Sequence, residues 1–389
     1  MSGKRKAGEG SWSVVTIKGQ KYKRYRTAEG KQFYAKTEKE VQAKYKKWII
    51  ENAAYSHIKD SELTLSKFAD IWLVSKRMQV KQSTYDGYEY FVWCIDNPHP
   101  GELYLGCIPM KEMNKKIVQQ YIDSWVNCYP KSTIKKYKAL LSNMFQMAVE
   151  DEIIPDNYVR YARMPIDEAI TKKSKPHVFL STNDRKKLEN EQLRTYPTGT
   201  LIYGNNARAI VFLLHTGLRV GELIALKWRN VDFENKNIFV IENAPMVKNR
   251  DPKIDKKRVV LETTTKRISS ERYVPLSNKA LEILEYLYEN KPHEPDNLVF
   301  TTNTGNYMDR STLNRTLKKM LVTADCEVQN ASIHDLRHSF GSELIKLGTD
   351  VKVVSELLGH KDIQTTYNIY IHILSEQKIS AIDLFNKFD

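Results

Sequence analysis

The spacing of the hydrophobic residues changes along this chain, and the change divides it into regions of different secondary structure. Between residues 12 and 35, short apolar and aromatic runs are separated by Lys-Gly-Gln and Glu-Gly-Lys turns, which predicts three strands. From residue 65 to residue 148, apolar residues recur instead at i, i+3, i+4 and i+7, as in Leu65, Phe68, Ala69 and Trp72. This spacing predicts four helices. We therefore expect an α+β protein, mainly α-helical with small β-sheets.

The length of the chain predicts more than one domain, because 389 residues exceed what a single ordinary hydrophobic core holds. A polar segment that ends in proline, residues 166–177, is typical of a linker. We predict an N-terminal domain of three strands and a helix (1–62), a four-helix domain (63–165), this linker, and a mixed α/β domain (178–389).

Local signals place some element boundaries. Thr37 and Glu40 have the spacing of a capping box, which predicts a helix from about Thr37 to Asn52. Ser83 or Thr84, and Ser132 or Thr133, are candidate N-caps for the second and fourth helices of the four-helix domain. In the last domain we predict strands at residues 237–242, 258–262 and 273–276.

The charge of the chain favours a polyanionic partner. The formal net charge is +14, and residues 1–62 alone hold 15 Lys and Arg against 7 Asp and Glu. Apolar runs are short and no apolar signal region follows the first residues, so we expect nucleic acid, no membrane contact and a cytoplasmic location. The four cysteines lack C-x-x-C spacing, so we predict no metal site.

Two groups of basic residues are candidates for DNA contact. In the second predicted strand, basic residues alternate with tyrosines, so a small sheet can present cations to a groove. In the fourth helix, lysines crowd the first turn, where they oppose the helix dipole, and phosphate contact explains them. A solvated basic face remains the alternative for both groups. The candidates are Lys21, Lys23, Arg24 and Arg26 in the strand, and Lys131, Lys135 and Lys136 in the helix.

Four separated pieces of sequence carry the side chains needed to break a phosphodiester. They are Arg219 within residues 215–223, His334 and Arg337 within residues 333–340, His360 after Gly359, and Tyr370. Two arginines can hold a pentacoordinate phosphate, histidines can move protons, and a tyrosine hydroxyl can attack phosphorus. His334 and Arg337 lie three residues apart, which puts them on one face if a helix begins at Ile333. For Arg219 the alternative is an ordinary ion pair with Glu222.

In this order and spacing, the four pieces resemble the tyrosine recombinase family, the integrases of phages and conjugative transposons. The resemblance covers nearly the whole chain and implies an arm-binding domain, a core-binding domain and a catalytic domain. It also implies that Lys266 protonates the leaving 5′ oxygen, that His360 donates to a phosphate oxygen, and that Glu222 supports the loop. Arg267 competes with Lys266 for phosphate contact. Tyr367 is the alternative to Tyr370 as nucleophile.

The resemblance implies a site-specific recombinase that integrates and excises a mobile element through a 3′-phosphotyrosyl intermediate, with no cofactor, metal or ATP. Its implied partners are double-stranded DNA at core and arm sites, three further copies of the chain in a tetramer, and an excision or DNA-bending factor. A chromosome-dimer resolvase, a type IB topoisomerase and a catalytically silent DNA-binding regulator are the alternatives. An apolar stripe at Ile379, Ile382, Phe385 and Phe388 predicts a tail that packs either within its own chain or on a neighbouring copy, and the resemblance implies the neighbouring copy.

Overall fold

The computed structural model contains two compact units, residues 1–174 and residues 175–389. Its description covers residues 11–17, 20–26, 31–51, 63–173, 176, 178–250, 258–260, 263–264, 271–290 and 292–371. The boundary between the units falls inside the predicted linker. The first residues of that linker belong to the first unit, since Ile170 is buried in its core and the Thr171 N–H donates to the Val126 carbonyl at 3.2 Å. The structure confirms the α+β class.

A three-stranded antiparallel sheet and a helix begin the first unit. Their bounds are β1 Ser11–Ile17, β2 Gln20–Arg26, β3 Gln32–Ala35 and α1 Glu38–Glu51, with the strands in the order β1-β2-β3. The predicted capping box is present, because the Glu40 N–H donates to Thr37 Oγ1 at 3.3 Å and the Thr37 N–H donates to Glu40 Oε2 at 3.3 Å. Phe33, Ala35 and Val41 form a small core between sheet and helix.

The four predicted helices follow: α2 Leu65–Ser75, α3 Gln82–Asp96, α4 Lys115–Ser124 and α5 Lys131–Glu150. Their apolar faces form one buried cluster that includes Phe68, Trp72 and Trp125. The predicted N-caps of α3 and α5 were wrong, because α3 begins directly after Lys81 and α5 directly after Pro130. Both flanking residues are extended N-caps whose side chains make no capping hydrogen bond. Ser83, Thr84, Ser132 and Thr133 therefore lie inside first turns.

The second unit packs helices around one buried helix, α7. Its helices are α6 Thr182–Glu191, α7 Asn205–Thr216, α8 Val220–Ala225, α9 Asn278–Asn290, α10 Arg310–Thr323, α11 Ile333–Lys346 and α12 Val351–Leu358, and residues 363–371 are also helical. Most side chains of α7 are buried, as expected for a helix with an apolar run from Ala209 to Leu214. It contacts α9, α10 and α11.

Short antiparallel strands lie between α8 and α9. They are β4 Val231–Asp232, β5 Asn237–Val240, β6 Glu242–Asn243, β7 Met246–Lys248, β8 Arg258–Val260, β9 Thr263–Thr264 and β10 Arg272–Pro275. The strand order is β10-β5-β4 in one sheet, with β6-β9 and β7-β8 as separate pairs. The three predicted strands are therefore present, and the first of them is divided into β5 and β6. None of the helices in the described part of the chain combines the length and apolar character needed to cross a membrane.

Candidate active site

The tight turn that ends α7 positions Arg219. Gly217 adopts a left-handed conformation with φ of 63°, and a Cβ there would overlap the Phe340 ring, so the turn requires glycine. Arg219 follows as the N-cap of α8, and its N–H donates to Glu222 Oε2 at 2.9 Å. The backbone and side chain of Arg219 are thus held by the same carboxylate, because Nη1 also donates to Glu222 Oε1 at 2.7 Å.

Glu222 is a buried carboxylate between two arginines. Arg272, on β10, donates from Nη2 to Oε2 at 2.9 Å and from Nη1 to Oε1 at 3.2 Å. Burial by itself raises the pKa of Glu222, but Arg272 and then Arg219 outweigh it and lower that pKa to about 2. Glu222 is therefore an anion at neutral pH. The Arg219–Glu222 ion pair that the sequence left as an alternative is present, and it leaves Arg219 38% exposed.

Arg337 and His334 lie on the first two turns of α11, which begins at Ile333, so the condition for their sharing one helix face is met. The Arg337 side chain is buried, and Nη1 donates to the Gly217 carbonyl at 2.8 Å. Burial, together with nearby Arg219, lowers the pKa of Arg337 to about 9, which still leaves the guanidinium charged at neutral pH. His334 is exposed, and its ring meets that of buried His338 edge to face at 4.6 Å.

Three arginines meet at the C-terminal end of α12. Arg272 Nε donates to the Leu357 carbonyl at 2.7 Å, and Arg337 Nη2 donates to the Leu358 carbonyl. Arg219 Nη2 donates to the next carbonyl, that of Gly359, at 2.6 Å. The last carbonyls of a helix lack partners within the helix and carry partial negative charge, which suits cations. The structure thus brings the predicted pair Arg219 and Arg337 together and adds Arg272 to them.

The sequence did not identify Arg272 as a site residue, although a signal was present. Tyr273 is exposed and Val274 is buried, so alternation along β10 puts Arg272 on the inward side of the strand. An arginine that points inward needs a buried anion or carbonyl partner.

His360 follows this helix end directly. Its Nδ1 lies 2.7 Å from Thr366 Oγ1. Burial, and then the charges of Arg337 and Arg219, lower the pKa of His360 to about 3. The imidazole is therefore neutral at physiological pH, and a neutral ring can still donate one N–H to an oxygen atom.

Tyr370 is buried in the helical stretch 363–371. Its ring packs with Ile345, Val354 and Leu358, and its hydroxyl lies against the backbone of Gly341, one turn after Arg337. Within the part of the chain that the structure describes, the hydroxyl has no hydrogen-bond partner. Burial raises the pKa of Tyr370, and Arg337 opposes that rise. Tyr367, the alternative nucleophile, is 37% exposed.

Other predicted residues lie outside this cluster or outside the description. Lys266 and Arg267 lie beyond β9 among residues that the structure does not describe, and so do His372 and the apolar tail residues. His215 lies between Glu189, 2.7 Å from Nε2, and Ser277, 3.2 Å from Nδ1, which is consistent with a structural role. Among the described residues, no group of three or more His, Cys, Asp or Glu side chains is arranged to hold a metal ion.

The basic residues of β2 lie on two faces of the N-terminal sheet. Lys23 pairs with buried Ala35, so it shares the face covered by α1, where it forms an ion pair with Glu38 at 2.9 Å. Lys21 shares that side by alternation, whereas Arg24 and Arg26 lie on the opposite face. The four residues named from the sequence therefore do not form one surface.

In the four-helix part, the three candidate lysines occupy the first turns of α5 as expected. Lys131 forms an ion pair with Asp167, while Lys135 and Lys136 are exposed. The nearby Lys138 instead donates to the Ala162 carbonyl at 2.5 Å, which gives it a structural role.

Comparison with known proteins gives one consistent set of relatives. The model of the phage integrase family matches residues 187–377. The tyrosine recombinase XerC-like protein of Caldanaerobacter subterraneus is 29% identical over 92% of this chain and 91% of its own length. A probable integrase of prophage ps2 in Lactococcus lactis is 27% identical over 85% of this chain and 86% of its own. The fold is similar to the Tn1549 transposon integrase in complex with a circular intermediate DNA, with a TM-score of 0.65, 20% identity, and coverage of 79% of this chain and 95% of that one.

Proposed function

The chain belongs to the phage integrase family of tyrosine recombinases, and we propose that it integrates and excises a mobile element by cutting and rejoining DNA through a 3′-phosphotyrosyl intermediate. One observation carries the proposal: Arg219, Arg337 and His360 converge at the end of α12, and Tyr370 packs against the same turn. A site of this composition can bind a phosphodiester, stabilise added negative charge and supply a nucleophile.

The two arginines hold the scissile phosphate in this mechanism. A guanidinium has five N–H donors. On Arg219, the contacts with Glu222 and with the Gly359 carbonyl use only some of these donors. The remaining donors can bind nonbridging oxygens, and their effect grows as charge builds in the pentacoordinate transition state. Neutral His360 adds one N–H donor without adding a further positive charge to those of Arg219 and Arg337.

Proton transfer involves His334 and Lys266. His334 is exposed on the helix that carries Arg337, so it is available to accept the tyrosine proton when DNA is bound. The family resemblance assigns protonation of the leaving 5′ oxygen to Lys266. Its neighbour Arg267 cannot protonate that oxygen, because the pKa of an arginine is too high for it to release a proton. The Tyr370 oxygen forms a bond to phosphorus as the bond to the 5′ oxygen breaks.

The covalent intermediate explains how strands are exchanged without an energy source. The phosphotyrosyl ester keeps the free energy of the phosphodiester, and a 5′ hydroxyl from a partner duplex reverses the reaction. A crossover between two duplexes breaks four strands, which calls for four active sites and thus for a tetramer on DNA. A DNA substrate also favours the bacterial nucleoid as the place of action.

DNA contact involves both parts of the first unit. Lys135 and Lys136 are exposed at the start of α5, which supports contact with the core site. Arg24 and Arg26 lie on the sheet face away from α1, which supports contact with a second, arm-type site. An excision or bending factor remains part of the proposal on the strength of the family resemblance alone.

Chromosome-dimer resolution is the second candidate, because the XerC-like relative aligns along almost the whole chain. The two candidates differ in whether a second class of DNA site exists. Binding to an arm-type site separate from the crossover site favours a mobile-element integrase, and binding to the crossover site alone favours a resolvase.

A nicked suicide duplex tests the chemistry. The duplex carries the joined ends of the element in which the gene lies, and the nick lets a short 5′ fragment diffuse away after cleavage. We expect the wild-type chain to form a covalent protein-DNA adduct on a denaturing gel. Tyr370→Phe should form none, and the matched variant Tyr367→Phe should form as much as wild type. Adduct formation by Tyr370→Phe but not by Tyr367→Phe would show that the nucleophile is assigned wrongly.

Paired variants of β2 test the arm-binding face. Arg24→Ala with Arg26→Ala removes two cations from the open face, and Lys21→Ala with Lys23→Ala removes two from the α1 side. If Arg24 and Arg26 contact phosphates, the first pair lowers the slope of log affinity against log salt by about 0.9 for each contact. Equal effects of the two pairs, or a loss of core cleavage, would contradict a specific arm-binding face.

A further inference from the structure

We propose that Arg272 is a positioning residue for strand cleavage, which holds the helix end that presents carbonyls to Arg219 and Arg337. This inference rests on the proposed function. The three arginines donate to three successive carbonyls, those of Leu357, Leu358 and Gly359. Arg272 binds the first of these carbonyls, that of Leu357. It therefore holds the backbone that leads to the carbonyls of Leu358 and Gly359.

The contacts of Arg272 point into the protein, unlike those of Arg219. Its Nη1 and Nη2 bind both oxygens of Glu222, and its Nε binds the Leu357 carbonyl. The side chain is 8% exposed, against 38% for Arg219. With both oxygens of Glu222 and the Leu357 carbonyl as partners, Arg272 is placed to orient the site.

Close packing at Gly359 connects Arg272 to His360. Gly359 has a φ of 64°, and a Cβ there would lie 2.9 Å from Arg272 Nη1 and 3.1 Å from its Cζ. The guanidinium therefore lies directly against the backbone turn that leads to His360. A shift of Arg272 moves this turn, and with it the His360 ring and the carbonyl that binds Arg219.

Glu222 connects Arg272 to Arg219 through hydrogen bonds to both arginines. The carboxylate binds Arg272 on one side and the backbone and side chain of Arg219 on the other. A planar guanidinium can span both oxygens, whereas a lysine ammonium supplies the charge without that geometry. Arg272 thus restrains Arg219 through Glu222 and His360 through the Leu357–Gly359 backbone.

Single-turnover cleavage of the suicide duplex at saturating DNA tests the inference, with the full chain and three variants. We expect Arg272→Gln to lose on the order of 10²-fold in the cleavage rate, the size of loss that a small misplacement of reacting groups causes. Arg272→Lys should be intermediate, because it restores the charge alone. The affinity for DNA should not change. Arg194→Gln is the matched control, since Arg194 pairs with Glu191 in the same unit, and it should cleave like wild type.

The pH profile of cleavage distinguishes positioning from simple support of the fold. Arg219, Arg272 and Arg337 are the cations that act on Glu222. Without Arg272, Glu222 takes up a proton at higher pH and releases Arg219, so the acid limb of the profile should move toward neutral pH. A variant that is merely less stable should keep the acid limb of the wild-type cleavage profile at the same pH. If Arg272→Gln does not fold, Arg272→Lys carries the same comparison, because the lysine cannot span both oxygens of Glu222.

Three results would overturn the role of Arg272 while the wild-type chain still forms the adduct. They are a wild-type rate for Arg272→Gln, a rate loss that disappears at saturating DNA, and equal rates for the Gln and Lys variants. Absence of an adduct with the wild-type chain would instead overturn the proposed function itself, so the two failures are distinguishable.

Discussion

Replacing Tyr370 with phenylalanine should abolish the covalent adduct and at the same time stabilise the folded protein. The hydroxyl is fully buried and, within the described residues, makes no hydrogen bond, so folding removes it from water without replacement. A buried hydroxyl left unsatisfied costs about 1–3 kcal/mol. Phenylalanine removes that cost and keeps the ring contacts with Ile345, Val354 and Leu358.

The gain in the free energy of unfolding of Tyr370→Phe is reduced by the void that the missing oxygen leaves beside Gly341. A void of roughly 20 Å³ costs about 0.5 kcal/mol at the usual dependence on cavity volume. The net increase in the free energy of unfolding is therefore about 0.5–2.5 kcal/mol. For a unit of this length, 175–389, each kcal/mol raises the melting temperature by about 2–4 °C.

Urea unfolding of the full chain, with thermal unfolding as a second measurement, checks this value. Tyr367→Phe is the matched control, because Tyr367 is 37% exposed rather than fully buried, so its stability should be close to that of wild type. A Tyr370→Phe chain less stable than wild type would refute the reasoning, since it would mean that the hydroxyl has a favourable partner in the folded state.

Three further predictions concern the groups around this tyrosine and the helix end. Gly341→Ala should destabilise the protein by about 1–3 kcal/mol in urea unfolding, because the added Cβ would lie 2.7 Å from Tyr370 Cζ. Adding Tyr370→Phe to Gly341→Ala should recover part of the lost stability. Gly359→Ala should cost about 1–2 kcal/mol for its left-handed φ of 64° and should also slow cleavage by displacing Arg272. Glu222 has a lowered folded-state pKa, so its contribution to stability is present above about pH 4.5 and is lost as the pH falls toward 2. The stability difference between wild type and Glu222→Gln should therefore narrow by up to roughly 3 kcal/mol in acid unfolding titrations, and a constant difference would contradict the lowered pKa.

Local features were predictable from the sequence because they depend on neighbours a few residues apart. The Thr37–Glu40 capping box follows from a spacing of three residues, and the shared face of His334 and Arg337 follows from the same spacing once a helix begins at Ile333. The N-caps of α3 and α5 were missed because serine and threonine are the usual capping residues, whereas Lys81 and Pro130 occupy the cap positions without a side-chain hydrogen bond.

Contacts between distant segments were not predictable in the same way. Alternation along β2 separates Lys23 from Arg24, but which face α1 covers depends on the packing of Phe33 and Val41. Likewise, Tyr370 was predicted as the nucleophile from its place after His360, whereas its burial against Gly341 depends on how α11 packs beside residues 363–371.

The sequence by itself determined the chemistry of the site, because phosphoryl transfer requires particular side chains and the order of Arg219, His334, Arg337, His360 and Tyr370 is visible along the chain. Only the tertiary structure decided how these groups are held. The hydrogen bonds that gather them join residues as far apart as 140 positions, and they end on backbone carbonyls, which every residue type possesses. A backbone carbonyl cannot be identified from residue type, so the packing of β10 and α8 against the end of α12 had to be known before the partners of Arg272 could be named.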